Sequence, residues 1–482
     1  MEANVRKRFY LLLLVCGSIL SITFLYPYSG DNAQLLYTAD LMLRGMMPYR
    51  SVFYHDFPGI LFIHAFQLLV LGKSLQAFHI LDVAILLFGA SIVFRMTSYL
   101  GGELAGWLCA IFWSFYYVLE GGNMVGQRDV YVSILLLIVI YFLLLRPQKS
   151  LAFTGFLTGL IVLFRPTYGL VAVTIFLWLL WRMRNDVDNF RRVWTRFLPC
   201  CCAPVFVFIF VSLATGTFSD VYNQIVLFNL KSYNVYLGPF YLAHKIRAYA
   251  VWIAIFFLGL AALFRSGNRS AAGLLGVITG ALLLEVLLLS QTNYQLHPLL
   301  TLVIVASSAG WALLWNEYTS RAWRISIAAL AIIGFLLPAV RHNAFGFQDM
   351  SEEDMLVRYL RSRIPPGSIL QTAGSMHAPL ALAVNPASRF IMLHELVQRD
   401  RFGNLQDFQI SWRNEYLRDL IKNRPLYFLM HDGYDGERQF LNGETPWEVI
   451  GRDLPAVGNW LDRTCHIETR IGRYTLYRRN SE

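Results

Sequence analysis

Between Gly30 and Gly72 the chain places Asp31, Arg44, Tyr49, Tyr54, His55, Asp56 and Pro58 directly after its first long apolar run. A carboxylate in such a place can serve as a general base, and an arginine as an anion clamp. Connectors between membrane helices are ordinarily short and bland, so ionisable groups gathered at a membrane boundary point to a functional site. Further along, Arg128 and Asp129 open another apolar run, Arg165 stands before Pro166 at the end of one, and His297 stands before Pro298 at the start of one. Guanidinium matches the oxygens of a phosphate in a bidentate fork. Each residue also has a purely structural use. Asp31 and Asp129 stand where a helix N-cap would stand, Arg165 fits a side chain snorkelling to headgroups, and His55 and His297 fit satisfied structural groups.

The elements that must position these residues are membrane helices. At 56% hydrophobic and 15% charged residues, with a mean hydropathy of +0.47, the 482-residue chain is not a soluble protein. Runs able to cross about 30 Å of hydrocarbon at about 1.5 Å per residue are expected at 9–28, 76–97, 103–120, 130–145, 151–164, 168–182, 197–214, 248–264, 271–290, 296–315 and 322–340, about 11 in all. The first lacks a small-residue cleavage site and reads as a retained span. Basic residues such as Arg6, Lys7, Arg8, Arg146, Arg191, Arg192 and Arg196 fall in alternate loops, which puts the N-terminus in the cytoplasm and an odd-numbered end outside. The net charge of +10 therefore reflects membrane insertion and affinity for anionic lipids, and no nucleic-acid partner is expected.

After about residue 340 the apolar runs stop. Residues 341–482 read as a second, exoplasmic domain with an α/β layered fold, following a membrane domain at 1–340 whose first exoplasmic loop is 28–75. Its helix-like and strand-like segments are Glu352–Arg363, Ile369–Thr372, Ala378–Val384, Arg389–Leu393, Asn414–Asn423, Leu426–Met430, Trp447–Trp460 and two closing strands near 464–478. Cys465 is the domain's one cysteine, so no disulfide within it is expected, and no zinc spacing occurs. In the first loop, Asn32–Arg44 carries an apolar stripe suited to a helix lying on the membrane, ended by Gly45 and Pro48. A second short helix is expected at Gly59–Leu71, after Pro58.

An acidic residue straight after the first span, a surface helix ending in Gly45-x-x-Pro48-Tyr49, and His55-Asp56-Phe57-Pro58-Gly59 resemble the first exoplasmic loop of GT-C-type membrane glycosyltransferases, the bacterial protein O-mannosyltransferase, aminoarabinose transferase and rhizobial lipopolysaccharide sugar-transferase families. Gly126-Gln127-Arg128-Asp129-Val130-Tyr131, Leu163-Phe164-Arg165-Pro166-Thr167-Tyr168-Gly169, Asn293 to Leu299 and Asn385 to Phe390 continue the resemblance in order. One departure is Asn32, where many relatives have Glu.

The resemblance implies a polytopic helical fold and an inverting transfer of sugar from a polyprenyl-phosphate donor to a lipid, polysaccharide or protein acceptor, on the outer face of a bacterial inner membrane. It implies Asp31 as general base and Asp129 as a second catalytic carboxylate, orienting acceptor or base or binding a divalent metal cation. Arg165 and Arg128 would hold the phosphate, with His55, Asp56, Tyr49 and His297 lining the site. A phosphate leaves without protonation, so one base and some cationic groups suffice. The alternatives are a transporter or lipid flippase, which would use intramembrane charges such as Asp82 and Glu285, and a scaffold acting through the outer domain.

Overall fold

The computed structural model describes residues 2–27, 29–122, 124–233, 239–289, 293–317, 351–374, 376–400, 403–431 and 444–480. The chain divides into two compact units. The first comprises Met1–Tyr26, Gln76–Phe208 and Leu237–Phe347, the second Pro27–Leu75, Ile209–Tyr236 and Gln348–Glu482.

The first unit is helical. Its helices are α1 (Glu2–Leu20), α4 (Leu75–Gly101), α5 (Glu103–Leu119), α6 (Arg128–Leu145), α7 (Leu151–Val162), α8 (Gly169–Met183), α9 (Val187–Arg192), α10 (Leu198–Ala214), α12 (Pro239–Arg265), α13 (Arg269–Leu289) and α14 (His297–Glu317), α4 and α10 running on past the unit's edge. Every expected span from 9–28 to 296–315 falls on a helix, and 322–340 lies outside the described residues. Among the described residues seven helical stretches are long and apolar enough to cross a membrane, with four shorter apolar helices besides. Phe88, Phe153, Phe156 and Leu177 are exposed on the surface, as lipid-facing residues are.

Lipid tails are as apolar as leucine, so small residues and close backbone approach hold such helices together. A Cβ on Gly310 would lie 2.6 Å from the Cα of Gly259, and one on Gly259 would meet Ala306 O at 2.5 Å, so α12 and α14 touch backbone to backbone. A Cβ on Gly155 would meet Phe197 O at 2.4 Å in the same way. Pro204 sits inside α10, which membrane helices tolerate where neighbours satisfy the freed carbonyl.

The second unit holds the sheet β1 (Leu370–Ala373), β2 (Tyr427–His431), β4 (Tyr474–Arg479) and β3 (Cys465–Ile471), in that order. β1 and β2 run parallel, and the other pairs are antiparallel. Side chains alternate across it with period two. Leu370, Tyr427, Leu429 and Leu476 pack with Leu356, Leu360 and Leu382 on one face, while Ala373, Phe428, Met430 and Tyr477 pack with Trp412, Tyr416, Ile450 and Leu461 on the other. An α/β layered unit results, helices covering both faces. Phe53 and Phe228 join the second of these cores, which is why segments 27–75 and 209–236 belong to this unit.

Two expected segments differ. Arg389–Leu393 is not a strand, for its chain is taken up elsewhere: Phe53 N–H donates to Arg389 O at 2.8 Å. Trp447–Trp460 is two helices, Pro446–Asp453 and Pro455–Thr464, because Pro455 cannot continue the first.

Candidate functional site

In the second unit, α2 spans Gly30–Leu43 and its N-cap is Ser29, whose hydroxyl accepts from Asn32 N–H at 3.2 Å. The capping role open to Asp31 is thereby filled two residues earlier. Asp31 lies in the first turn, exposed, and makes no hydrogen bond or ion pair with any described residue. Gly45, at φ +86°, ends the helix as expected. Arg44 donates to Ala383 O at 3.0 Å, Val384 O at 3.0 Å and Asn385 Oδ1 at 2.7 Å, and pairs with Asp40 at 2.9 Å. Tyr37 donates its hydroxyl to Val384 O at 3.1 Å. The helix carrying Asp31 is thus fastened at its far end to the segment resembling periplasmic domains of the family.

Tyr49 adopts φ +71°, a left-handed conformation costly for a residue with a bulky side chain. Its surroundings fix it: N–H donates to Val52 O at 2.7 Å, the carbonyl accepts from Gln224 at 2.6 Å and Arg389 at 3.1 Å, and the phenol donates to Asp56 O at 2.8 Å. Tyr49 is therefore a buried brace of the loop. Asp56 is buried with Oδ2 3.7 Å from His55 Nε2, and His55 O accepts from Asn229 at 2.6 Å. The His55 ring faces His394 at 6.4 Å, and burial pushes the His394 imidazole down to about 3. Gln224 and Asn229 lie on a π-helical segment, Tyr222–Tyr233, a rare geometry frequent at functional sites.

In the first unit the sequence brings three expected residues together. Arg128 and Asp129 occupy the first turn of α6, whose N-cap is Gln127, so Asp129 is not the cap. Asp129, fully buried, accepts the Tyr168 hydroxyl in a short hydrogen bond and has Arg128 Nε at 3.7 Å. Arg165 is buried at the α7 to α8 junction with Nη1 3.4 Å from Glu285 on α13, within electrostatic reach of Asp129 and Arg128 as well. That burial excludes snorkelling. Thr167 donates to the same Glu285 oxygen at 2.8 Å.

His297 is fully buried and spends Nδ1 on Ser133 at 2.7 Å, so it braces α14 against α6. Asp82 accepts from Tyr117 at 2.5 Å and Tyr131 at 3.0 Å, which fixes the turn between α5 and α6 through Gly126 N–H to Tyr117 at 3.0 Å. Sequence reasoning did not single out Tyr168 as the partner of Asp129, 39 positions away, or Glu285 as that of Thr167, 118 positions away, since nothing local links residues so far apart. It also passed over Glu120, the C-cap residue of α5.

Among the described residues no three His, Cys, Asp or Glu side chains group as a metal site. Asp129 has a guanidinium beside it and an engaged hydroxyl on it, a setting that does not fit the oxygen-rich cage of a divalent cation.

No protein-family model and no curated protein matches the chain. Solved structures do. ArnT from Cupriavidus metallidurans bound to undecaprenyl phosphate aligns over 99% of this chain and 98% of its own, with a TM-score of 0.61 at 11% identity. The Archaeoglobus fulgidus oligosaccharyltransferase in its apo form aligns over 88% of this chain and 69% of its own, with a TM-score of 0.56 at 11% identity. The same organism's AglB, in complex with an inhibitory peptide and a dolichol-phosphate, gives 0.53 at 10% identity over the same shares. Likeness at this identity carries architecture: the chain has the polytopic helical fold of the GT-C membrane glycosyltransferases, as the motifs from Asp31 to His297 had implied.

Proposed function

We propose that this protein is an inverting membrane glycosyltransferase that moves a sugar from a polyprenyl-phosphate donor to an acceptor on the outer face of the bacterial inner membrane. The observation that carries the reading is the buried group Arg165, Arg128, Asp129, Tyr168 and Glu285 in a fold shared end to end with a protein solved with undecaprenyl phosphate. Two guanidinium groups in a dry setting are suited to a departing lipid phosphate, whose charge they stabilise without donating a proton. Glu285 and Asp129 hold them in place before any ligand arrives.

Asp31 acts as the general base. It is exposed and engaged by no described residue, it sits on a helix anchored at both ends, and its capping duty belongs to Ser29. It removes the acceptor proton as the acceptor attacks the anomeric carbon, the bond to phosphate breaks on the opposite side, and configuration inverts. Asp129 orients Tyr168 and Arg128. The first and second helical ends of the chain follow the positive-inside bias, N-terminus in the cytoplasm and residues 341–482 outside. The transporter reading draws on Asp82 and Glu285, yet both are held by fixed hydroxyl or guanidinium partners.

The test uses membranes containing the protein and a polyprenyl phosphate carrying a radiolabelled sugar. Label appearing in envelope lipid, glycan or protein, dependent on Asp31, supports the reading. Donor bound and carried across the bilayer with no sugar released overturns it in favour of a flippase.

A further inference from the structure

Away from the residues assigned above, the second unit has a polar cavity of about 260 Å³, its walls drawn from the first loop, from 386–389 and from the helix Asp407–Asn423. We propose that this cavity is a carbohydrate subsite that holds the glycan part of the acceptor by its hydroxyl groups. The proposal rests on the transferase reading and narrows the acceptor class to a glycan-bearing molecule. The volume lies just under the roughly 300–1,000 Å³ of sites for drug-sized ligands, which suits a short saccharide.

One wall is a row. Glu415, Asp419 and Asn423 follow at four-residue intervals, one helical face with about 6 Å between successive members. Asp419 Oδ2 accepts from Ser388 at 2.8 Å, which steadies the carboxylate and leaves Oδ1 for a ligand hydroxyl. Met46 and Pro386 supply the apolar contact that the C–H face of a sugar ring requires.

Charge balance selects a neutral ligand. Of the lining residues Arg50 and Arg389 are cationic and Glu415 and Asp419 anionic, two of each sign, and Arg389 is paired with Glu415 at 2.8 Å and, behind the wall, with Asp220 at 2.7 Å. Arg50 is exposed at the cavity and makes no hydrogen bond or ion pair with any described residue. A guanidinium with five donors and a carboxylate facing one cavity suit vicinal hydroxyls better than a phosphate or an ammonium.

The backbone argues against an extended peptide as the occupant. Peptides dock on strand edges through free main-chain groups. Here Ala387 O accepts from Asn423 at 2.6 Å, Ser388 N–H donates to Gln371 at 2.9 Å and Arg389 O accepts from Phe53 N–H at 2.8 Å. Three main-chain groups of this wall are thus already engaged, while Arg50 and Asp419 offer side-chain groups.

The experiment takes full-length protein in lipid nanodiscs and the water-soluble oligosaccharides released by mild acid from the envelope of the producing cells. Saturation-transfer NMR should show contact at sugar ring protons, reduced at least tenfold in Arg50→Ala and in Asp419→Ala. Arg50 is engaged by no described residue, so its variant should keep the wild-type melting temperature. Release of labelled sugar from a polyprenyl-phosphate donor to those oligosaccharides is measured on the same nanodiscs, so failure of the transferase reading appears separately, as no release by the wild type. Sugar release without any oligosaccharide signal overturns the subsite. So does a signal undiminished in both variants, or binding of envelope-protein peptides in place of saccharides.

Discussion

The residues given chemical roles in the two units stand in opposite settings. In the helical unit Asp82, Asp129, Arg165 and Glu285 are all buried and held by hydroxyl or guanidinium partners. In the unit with the sheet, Asp31 and Arg50 are exposed and engaged by no described residue. A leaving phosphate needs a field fixed in advance, and low dielectric makes such a field strong. A base needs access to a proton that arrives with another molecule. The contrast separates residues that prepare a site from residues that meet a substrate.

The sharpest way to break this contrast is Asp31→Asn. It should lower turnover by about a hundredfold or more while donor binding stays, the usual span of general-base catalysis. Sugar release from labelled donor measures it, and a near wild-type rate returns the role of base to Asp129 or Asp56. Next comes Arg165→Ala, expected to weaken undecaprenyl phosphate binding about ten- to a hundredfold, the worth of a charge-assisted contact of roughly 1.5–3 kcal/mol. Because that variant strands Glu285, the pair Arg165→Ala with Glu285→Gln serves as its control: it should restore thermal stability and leave donor affinity low.

The unit with the sheet should show a pH response of its own. His394 is held down to about 3 by burial, below the ordinary value of roughly 6.5. Between those values the unfolded chain takes a proton that the folded one refuses. Stability is therefore full above about pH 6.5 and falls as pH drops toward 3, by up to about tenfold in the unfolding constant per pH unit. Circular dichroism melts across pH 7 to 4 should show the fall, and His394→Phe should reduce it. The smallest effect separates cap from base. Ser29→Ala should cost about 1 kcal/mol of stability, whereas Asp31→Ala should leave the melting temperature nearly unchanged.

The membrane helices were legible because an apolar run long enough to span a bilayer has few other uses, as α4 and α14 illustrate. The strands at 370, 427, 465 and 474 were legible from alternation and flanking turns. Asp31 was harder. Ser29 and Asp31 both have capping side chains, and only the backbone decides which one starts the helix. Arg165 and Glu285 could each be singled out for standing at an odd depth, but their pairing depends on how α8 and α13 pack. Arg389–Leu393 read as a strand because Phe390–Leu393 is apolar, yet Arg389 O accepts from Phe53 of the first loop. Long-range partners of this kind leave no local mark.

The backbone contact at Gly259 and Gly310 bears on how the molecule is made. α14 is long and apolar enough to cross the bilayer and Ala250–Arg265 of α12 is a shorter apolar stretch, so insertion and the docking of the two helices are separable steps. A side chain at either glycine would leave insertion untouched and block only the later docking of the two helices. Cells carrying such a change would hold a correctly threaded but unassembled chain, visible to membrane proteases and to nothing that reads topology.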